Sequence, residues 1–481
     1  MNIKPDNTEN SRTHGKTETP HGKKQTAGVK ILVGDPKAAV RKLALPMIVA
    51  MTLLALYNVV DAFWVSGLGS DALAAIGFVF PFFFVALGLA NGLGVGGGSA
   101  ISRRIGADDK AGADRVAIHL LVMMVVASLL FTIFFYSAAD SIFILIGAGS
   151  AAGMATEYGK IIFLGSFFIF FTNVAYAILR SEGDAKRAMY AMGISSILNI
   201  ILDPILIYTF NWGIAGAACA TIFSLFTSSL VMCYWMVVKR DTYVSFHLRG
   251  FTPDKSVIRD ILRVGLPASV QQISMAFTML ILNLIIIMVS DTDGVAVYSV
   301  GWRVVSIAVT PLVAISTAVV PVAGAAYGSH IYKNTEIAHL YATKLGLILG
   351  TCTSAVTFIF APQIAAVFTL SEASAHIAPD LIIFLRVICL FYPTITLGMF
   401  SSSLFQGTGK GMYALIVTIL RSIILGPLFV WLFAVTFGWG LIGVWWGLLA
   451  GNTIGSVVAF TFARVYTKRL IDMNKEREAS E

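Results

Sequence analysis

Charged side chains are scarce: Asp, Glu, Lys and Arg together make up 12% of 481 residues, against 57% hydrophobic residues and a mean hydropathy of +0.81. That excludes a water-soluble domain of this length, which carries roughly twice that charged fraction. Cysteine is scarcer still. Cys219, Cys233, Cys352 and Cys389 all fall in apolar stretches, and their spacing excludes a disulfide framework or a cysteine-rich metal site; buried cysteine of this kind behaves as a small apolar residue. Catalytic signatures are missing too. The seven histidines show no ligand spacing, and no nucleophile elbow, P-loop or triad pattern occurs, so neither an enzyme nor a cofactor is expected. The segment Gly92-Leu-Gly-Val-Gly-Gly-Gly98 does contain a formal G-x-G-x-x-G. It lies inside an apolar run with no strand before it, which reads as close helix packing rather than dinucleotide binding.

What the chain has instead is a series of long apolar runs. A helix needs about 20 such residues to cross about 30 Å of hydrocarbon, and spans are expected near 39–66, 71–103, 114–139, 157–181, 186–209, 211–239, 258–289, 293–325, 336–360, 380–406, 411–436 and 439–466. Basic residues cluster in alternate connections: Arg103, Arg104, Lys110 and Arg115; then Arg180, Lys186 and Arg187; then Lys239, Arg240, Arg249 and Lys255. The stretches 140–156, 290–293 and 361–379 hold no Lys or Arg. Positive charge stays on the cytoplasmic side, so both termini are expected there, in a multi-pass protein of the plasma membrane. The net charge of +8 then reflects topology and contact with anionic lipid rather than nucleic-acid binding.

The sequence repeats itself. Arg41-Lys-Leu-Ala-Leu-Pro46 returns as Leu262-Arg-Val-Gly-Leu-Pro267, 221 residues later, and Ala188-Met-Tyr-Ala191 with Asp203-Pro204 lines up with Gly411-Met-Tyr-Ala414 and Gly426-Pro427. Copies separated by six spans have parallel topology. The fold expected is therefore an all-α membrane protein with twelve transmembrane helices in two six-helix bundles, related by a pseudo-twofold axis along the membrane normal. Residues 1–38 are expected to form a disordered cytoplasmic arm with no signal peptide, 39–239 the first lobe, 240–257 a cytoplasmic linker, 258–466 the second lobe and 467–481 a cytoplasmic tail.

Acids deep within spans are confined to the first copy. Asp203 is replaced by Gly426 and Asn199 by Ser422, and the counterpart of Asp61 falls in the apolar stretch around Asn283. An intramembrane carboxylate costs a few kcal/mol or more and marks an ion, proton or substrate path by default. Asn58 and Asp61 are spaced i, i+3, and Asn199 and Asp203 i, i+4, so each pair projects from one helix face. Asn173 and Thr221 belong to neighbouring spans and converge on the same depth, with Tyr57 and Tyr158 as aromatic neighbours. Two facing carboxylates exchange a proton as a coupled unit; the oxygens of Asp61, Asn173, Asn199, Asp203 and Thr221 equally make a shell for Na⁺. Either ion fits this residue set.

Leu56-Tyr-Asn-Val-Val-Asp-Ala-Phe-Trp-Val-Ser-Gly-Leu-Gly69, Ala74-Ala-Ile-Gly77 and Asn199-Ile-Ile-Leu-Asp-Pro204 resemble the multidrug and toxic compound extrusion (MATE) family, most closely its archaeal and DNA-damage-inducible branch. The resemblance covers all twelve spans. It implies a cation-coupled antiporter, driven by H⁺ or Na⁺, that exports amphipathic and often cationic drugs by alternating access. Asp61, Asn173, Asn199, Asp203 and Thr221 then take the positions of the cation network, beside Tyr57 and Tyr158, with Asn58 supporting. The partners implied are small organic substrates and membrane lipids, and a monomer is expected. Pro46, inside the first span, is a candidate helix bend linking ion to cavity. Phe78, Phe80, Phe82, Phe83, Phe84, Met275 and Met279 offer polarizable surface for such substrates. The alternative is a flippase for a lipid-linked saccharide, whose cavity needs positive charge; Arg303, Arg386 and Arg421, in or near spans of the second half, are its candidates.

Overall fold

The computed structural model describes residues 26–246, 251–369 and 375–480. Without water in the bilayer core, backbone N–H and C=O groups must pair within their own segment, so long apolar runs become helices. The helices are α1 (Ala27–Leu32), α2 (Pro36–Ser66), α3 (Ser70–Gly106), α4 (Lys110–Leu145), α5 (Ala152–Leu164) and α6 (Ser166–Ser181). They continue with α7 (Ala185–Thr209), α8 (Gly213–Val238), α9 (Lys255–Gly328), α10 (Tyr332–Ile359), α11 (Ala361–Phe368), α12 (Ala378–Ile388), α13 (Phe391–Gly407), α14 (Gly411–Thr436) and α15 (Gly440–Ser480).

Nine helices are each long and apolar enough to cross a membrane, and two bent pairs, α5 with α6 and α12 with α13, supply one crossing each at bends of 46° and 50°. The 74 residues of α9 are far too many for one crossing. The helix is broken at Ser290 (φ −155°) and Asp291 (φ +54°), which divides it into two spans and brings the crossings to twelve, in two lobes of six. Gly165 explains one bend: a Cβ there would lie 2.3 Å from Ile222 Cδ1, so α8 fills the notch between α5 and α6. Pro46, by contrast, is buried within the unbroken helix α2. Short π-helical stretches interrupt α7 at Ile205–Thr209, directly after Asp203-Pro204, and α14 at Leu420–Leu425; such widened turns often re-aim side chains at functional sites.

α1 and the end of α15 lie at one end of the molecule, with Gly28 against Glu182 O and Arg477 near Tyr332. There α2, α4, α7 and α9 are capped by Asp35, Asp109, Asp184 and Asp254, each accepting from a backbone N–H of the first turn. Of the expected arm, residues 1–25 lie outside the described residues, and from Ala27 the chain is helical; α15 likewise carries helix through the expected tail to Ser480. The interlobe linker is tied to the first lobe. The Glu182 carboxylate accepts from the N–H groups of Tyr243 (2.9 Å) and Val244 (2.8 Å), Asp114 accepts from Ser245 N–H (2.8 Å), His119 Nε2 accepts from Asp254 N–H (2.9 Å), and Arg187 pairs with Asp241 (2.7 Å).

The lobes close on each other at this same end. Along α3, a Cβ at Gly88 would meet Gln272 Cγ at 3.5 Å, an ordinary contact. At Gly92 it would meet Gly265 O at 2.6 Å, at Gly96 Ile261 O at 2.3 Å, and at Gly106 Ala325 O at 1.9 Å. The spacing between α3 and α9 therefore narrows to backbone-on-backbone contact that only glycine permits. Ser99 Oγ donates to Gln406 O (2.5 Å), and Arg103 pairs with Asp260 at 2.6 Å across the lobes. The formal G-x-G-x-x-G is this junction: Gly92 and Gly96 face α9, Gly94 faces Asn173 and Ala177 of α6, and Gly97 faces Leu120 of α4.

Candidate functional site

Inside the first lobe, α2, α5, α7 and α8 bring most of the expected polar residues together. Asp203 is fully buried and Asn199 nearly so; the Asn199 Nδ2 group donates to Asp203 Oδ1 at 3.3 Å and to Thr221 Oγ1 at 3.4 Å. Asp61 of α2 faces Asp203 as its electrostatic neighbour, and Tyr57 and Tyr158 stand beside both carboxylates. Among the described residues, Asp203 Oδ2 and Asn199 Oδ1 have no hydrogen-bond partner. Unpaired carboxylate and amide oxygens held together at membrane depth can take a proton or coordinate a hard cation such as Na⁺.

Two expected members stand apart. Asn58 is exposed, and its amide donates to Leu54 O (2.9 Å) one turn back on α2. The side chain of Asn173 likewise donates to Ile169 O (2.8 Å) of its own helix. Tyr176, which the sequence reading passed over, is an electrostatic neighbour of Tyr57, and its hydroxyl bonds Ser228 Oγ at 2.9 Å. No pairing in the sequence marked it.

A second feature lies between the lobes, alongside the glycine junction, whose Gly92 and Gly98 help line it. It is a cavity of about 410 Å³ lined from the first lobe by Asn91, Gly94 and Arg180 and from the second by Gln271, Met275, Met399 and Arg421, among others. That volume suits a small organic molecule. Asp61 and Asp203 do not line it. Of the aromatic run, Phe80 and Phe84 are exposed and Phe82 packs on Phe135, Phe143 and Phe163 within the first lobe, so Met275 is the cavity wall from that set. Arg303 and Arg386 are exposed, the latter over the Phe358 ring at 5.7 Å, whereas Arg421 reaches the cavity. Arg180 does so as well; in the sequence it reads as a topology-setting charge at a span end.

Comparison with known proteins points to membrane transporters. The MOP superfamily transporter of Pyrococcus furiosus, for which a binding pocket of reversed polarity has been described, is 44% identical, with a TM-score of 0.91 over 93% of this chain and 99% of that one. A multidrug resistance MATE transporter solved in an outward-facing conformation is also 44% identical, at a TM-score of 0.91 and the same coverage. The multidrug export protein MepA of Staphylococcus aureus is 27% identical over 434 residues, 90% of this chain and 94% of MepA. The MatE family model matches residues 46–205 and 267–432, two stretches that begin at the paired prolines Pro46 and Pro267. Sequence, internal repeat and fold thus converge, and the chain belongs to the MatE family of multidrug efflux transporters.

Proposed function

We propose that this transporter is a cation-coupled antiporter that exports amphipathic organic compounds by alternating access, and that it belongs to the archaeal and DNA-damage-inducible branch of the family. The observation that carries the reading is the pairing of Asp61 with Asp203 inside one lobe, next to an interlobe interface that glycine contacts seal at the terminal end. H⁺ or Na⁺ enters the network of Asp61, Asn199, Asp203 and Thr221, with Tyr57 and Tyr158 bordering it and Asn173 on the adjoining face of α6. The basic loops support a cytoplasmic position for the terminal end. With that orientation the glycine junction is the cytoplasmic gate, closed in the described conformation. Loss of the ion frees the carboxylates to repel, and α2, which carries Asp61 and the buried Pro46, is the helix that yields. The higher identity to the Pyrococcus furiosus protein than to MepA supports the branch.

The driving force is adequate. One monovalent cation moving inward yields about 2.3 kcal/mol per 100 mV, and each pH unit adds about 1.4 kcal/mol. Export of a fluorescent amphiphile from proteoliposomes, under separate Na⁺ and pH gradients, tests the reading. Gradient-driven export that Asp203→Asn abolishes is the expected result and names the ion. Wild-type protein that transports under neither gradient while remaining folded overturns it.

A further inference from the structure

The interlobe cavity has formal charge of one sign. Arg180 and Arg421 line it, and no carboxylate does. Neither arginine takes part in an ion pair among the described residues. Arg421 Nε and Nη1 are buried without a hydrogen-bond partner, although a guanidinium ordinarily satisfies its donors when it leaves water.

The setting of Arg421 is built rather than incidental. Its side chain threads between α13 and α15 through a slot that two glycines keep open: a Cβ at Gly398 would lie 2.7 Å from Arg421 Nη1, and one at Gly455 would lie 2.7 Å from Arg421 Cβ. The π-helical turn Leu420–Leu425 carries it. Uncompensated positive charge at membrane depth is costly and marks a functional position by default. Arg180 comes from the other lobe, at the last turn of α6. The planar fork of arginine matches carboxylate or phosphate oxygens two at a time. Around the two guanidinium groups the wall is otherwise neutral, with the amides of Gln271 and Gln272 and the apolar surfaces of Met275 and Met399.

We infer that this cavity binds amphiphiles through an anionic head, a carboxylate or phosphate held by Arg421 of the second lobe and Arg180 of the first, with the apolar body against Met275 and Met399. The cationic class that the family resemblance suggests does not suit this lining. The inference rests on the export reading only in taking the cavity as the substrate site. If an anion leaves while a cation enters, two charges move inward per cycle, so the membrane potential drives export twice as strongly as it drives export of a neutral compound.

Binding to the purified full chain without any gradient is the test. The probe is dansyl-undecanoate, compared with its neutral methyl ester, with dodecyl phosphate, dodecyltrimethylammonium and inorganic phosphate as competitors. The acid should bind at least ten-fold tighter than the ester, and Arg421→Gln and Arg180→Gln should each remove most of that preference. Dodecyl phosphate should displace the probe, and dodecyltrimethylammonium should not. Displacement by inorganic phosphate at equal concentration would show a free-anion site and overturn the amphiphile assignment. Equal binding of acid and ester, or a preference that survives both substitutions, overturns the inference; should Arg421→Gln fail to fold, Arg180→Gln and the wild-type preference still decide. Coupled export of a cationic dye with no anion preference would sink this inference and keep the export reading. Anion preference with no gradient-driven export of any probe would do the reverse.

Discussion

The narrowing between α3 and α9 makes a quantitative prediction. In the sealed state a Cβ at Gly96 would sit 2.3 Å from Ile261 O and 2.8 Å from Gly265 N, all of it backbone that cannot swing aside as a side chain can. Overpacking of this kind costs typically about 1–3 kcal/mol. The gain in helix propensity from glycine to alanine, about 1 kcal/mol, is present whether or not the lobes touch, so it does not offset the clash. Gly96→Ala should therefore shift the ratio of sealed to open protein by about 5- to 150-fold toward open at the terminal end. Spin labels at Ala107→Cys and Ile331→Cys, one on each lobe at that end, with Cys219, Cys233, Cys352 and Cys389 replaced by serine, report the separation by electron–electron resonance. A population at longer distance should appear in Gly96→Ala. Gly88→Ala is the control, because its Cβ would stand at an ordinary 3.5 Å from the nearest atom, a flexible Gln272 side chain. Identical distance distributions in all three proteins would refute the reading of α3 as the gate.

Three further outcomes follow from the geometry. Asp203→Asn should abolish gradient-driven export and Asp61→Asn should reduce it strongly, while thermal stability stays within about 2 kcal/mol of wild type, since each substitution removes a buried charge and keeps the shape; unfolding of both variants would mean the pair is structural. Pro46→Ala should uncouple ion from substrate, read as export that no longer responds to the gradient, and unchanged coupling would remove Pro46 from the mechanism. Burial raises the Glu182 carboxyl in the turn after α6 to about 7, against the pull of the Val244 and Tyr243 N–H groups. The folded state then holds a proton that the unfolded chain releases above its usual value of 4.5. That contribution to stability is complete below pH 4.5 and is lost as pH rises toward 7, at up to about 1.4 kcal/mol per unit. Melting temperature measured from pH 5 to 8 should fall less steeply in Glu182→Gln, and parallel curves would contradict it.

The sequence exposed depth well and azimuth poorly. Run length and basic loops located twelve crossings to within a few residues, and the break at Ser290 and Asp291 falls in the expected connection. Asp61, Asn199, Asp203 and Thr221 were readable because acids and amides stand out against hydrocarbon. Asn58 was misplaced. Three residues turn a helix by 300°, so Asn58 is rotated 60° from Asp61, enough on this helix to reach the exposed face, where a short amide bonds back to its own carbonyl. Arg180 failed in the opposite sense: a charge at a span end obeys the topology rule whichever way it points, and the packing of α6 against α3 turns it inward. The bend at Gly165 leaves no proline signal, since it depends on what a neighbouring helix inserts.

The proposed cation network and the cavity do not share a wall of charged groups, so in the antiport reading ion binding reaches the substrate mechanically, and α3 is placed to carry it beside α2. One side of α3 rests on α6 through Gly94 and Gly98, where a Cβ at Gly94 would lie 3.1 Å from Ala177 Cβ and 3.2 Å from Asn173 O. The other side rests on α9 through Gly92 and Gly96. A helix in close contact on two faces transmits a displacement instead of absorbing it. The two faces can therefore be separated by substitution. Gly94→Ala presses on the helix that carries Asn173, Tyr176 and Arg180 and leaves the gate face untouched. In the absence of coupling ion, its terminal-end distance distribution should match wild type, unlike that of Gly96→Ala. On addition of the coupling ion, the change in distribution seen in wild type should be weakened in Gly94→Ala. A Gly94→Ala protein that responds to the ion as wild type does would show that the signal bypasses α3, leaving α2 as the remaining route from Asp61 to the second lobe.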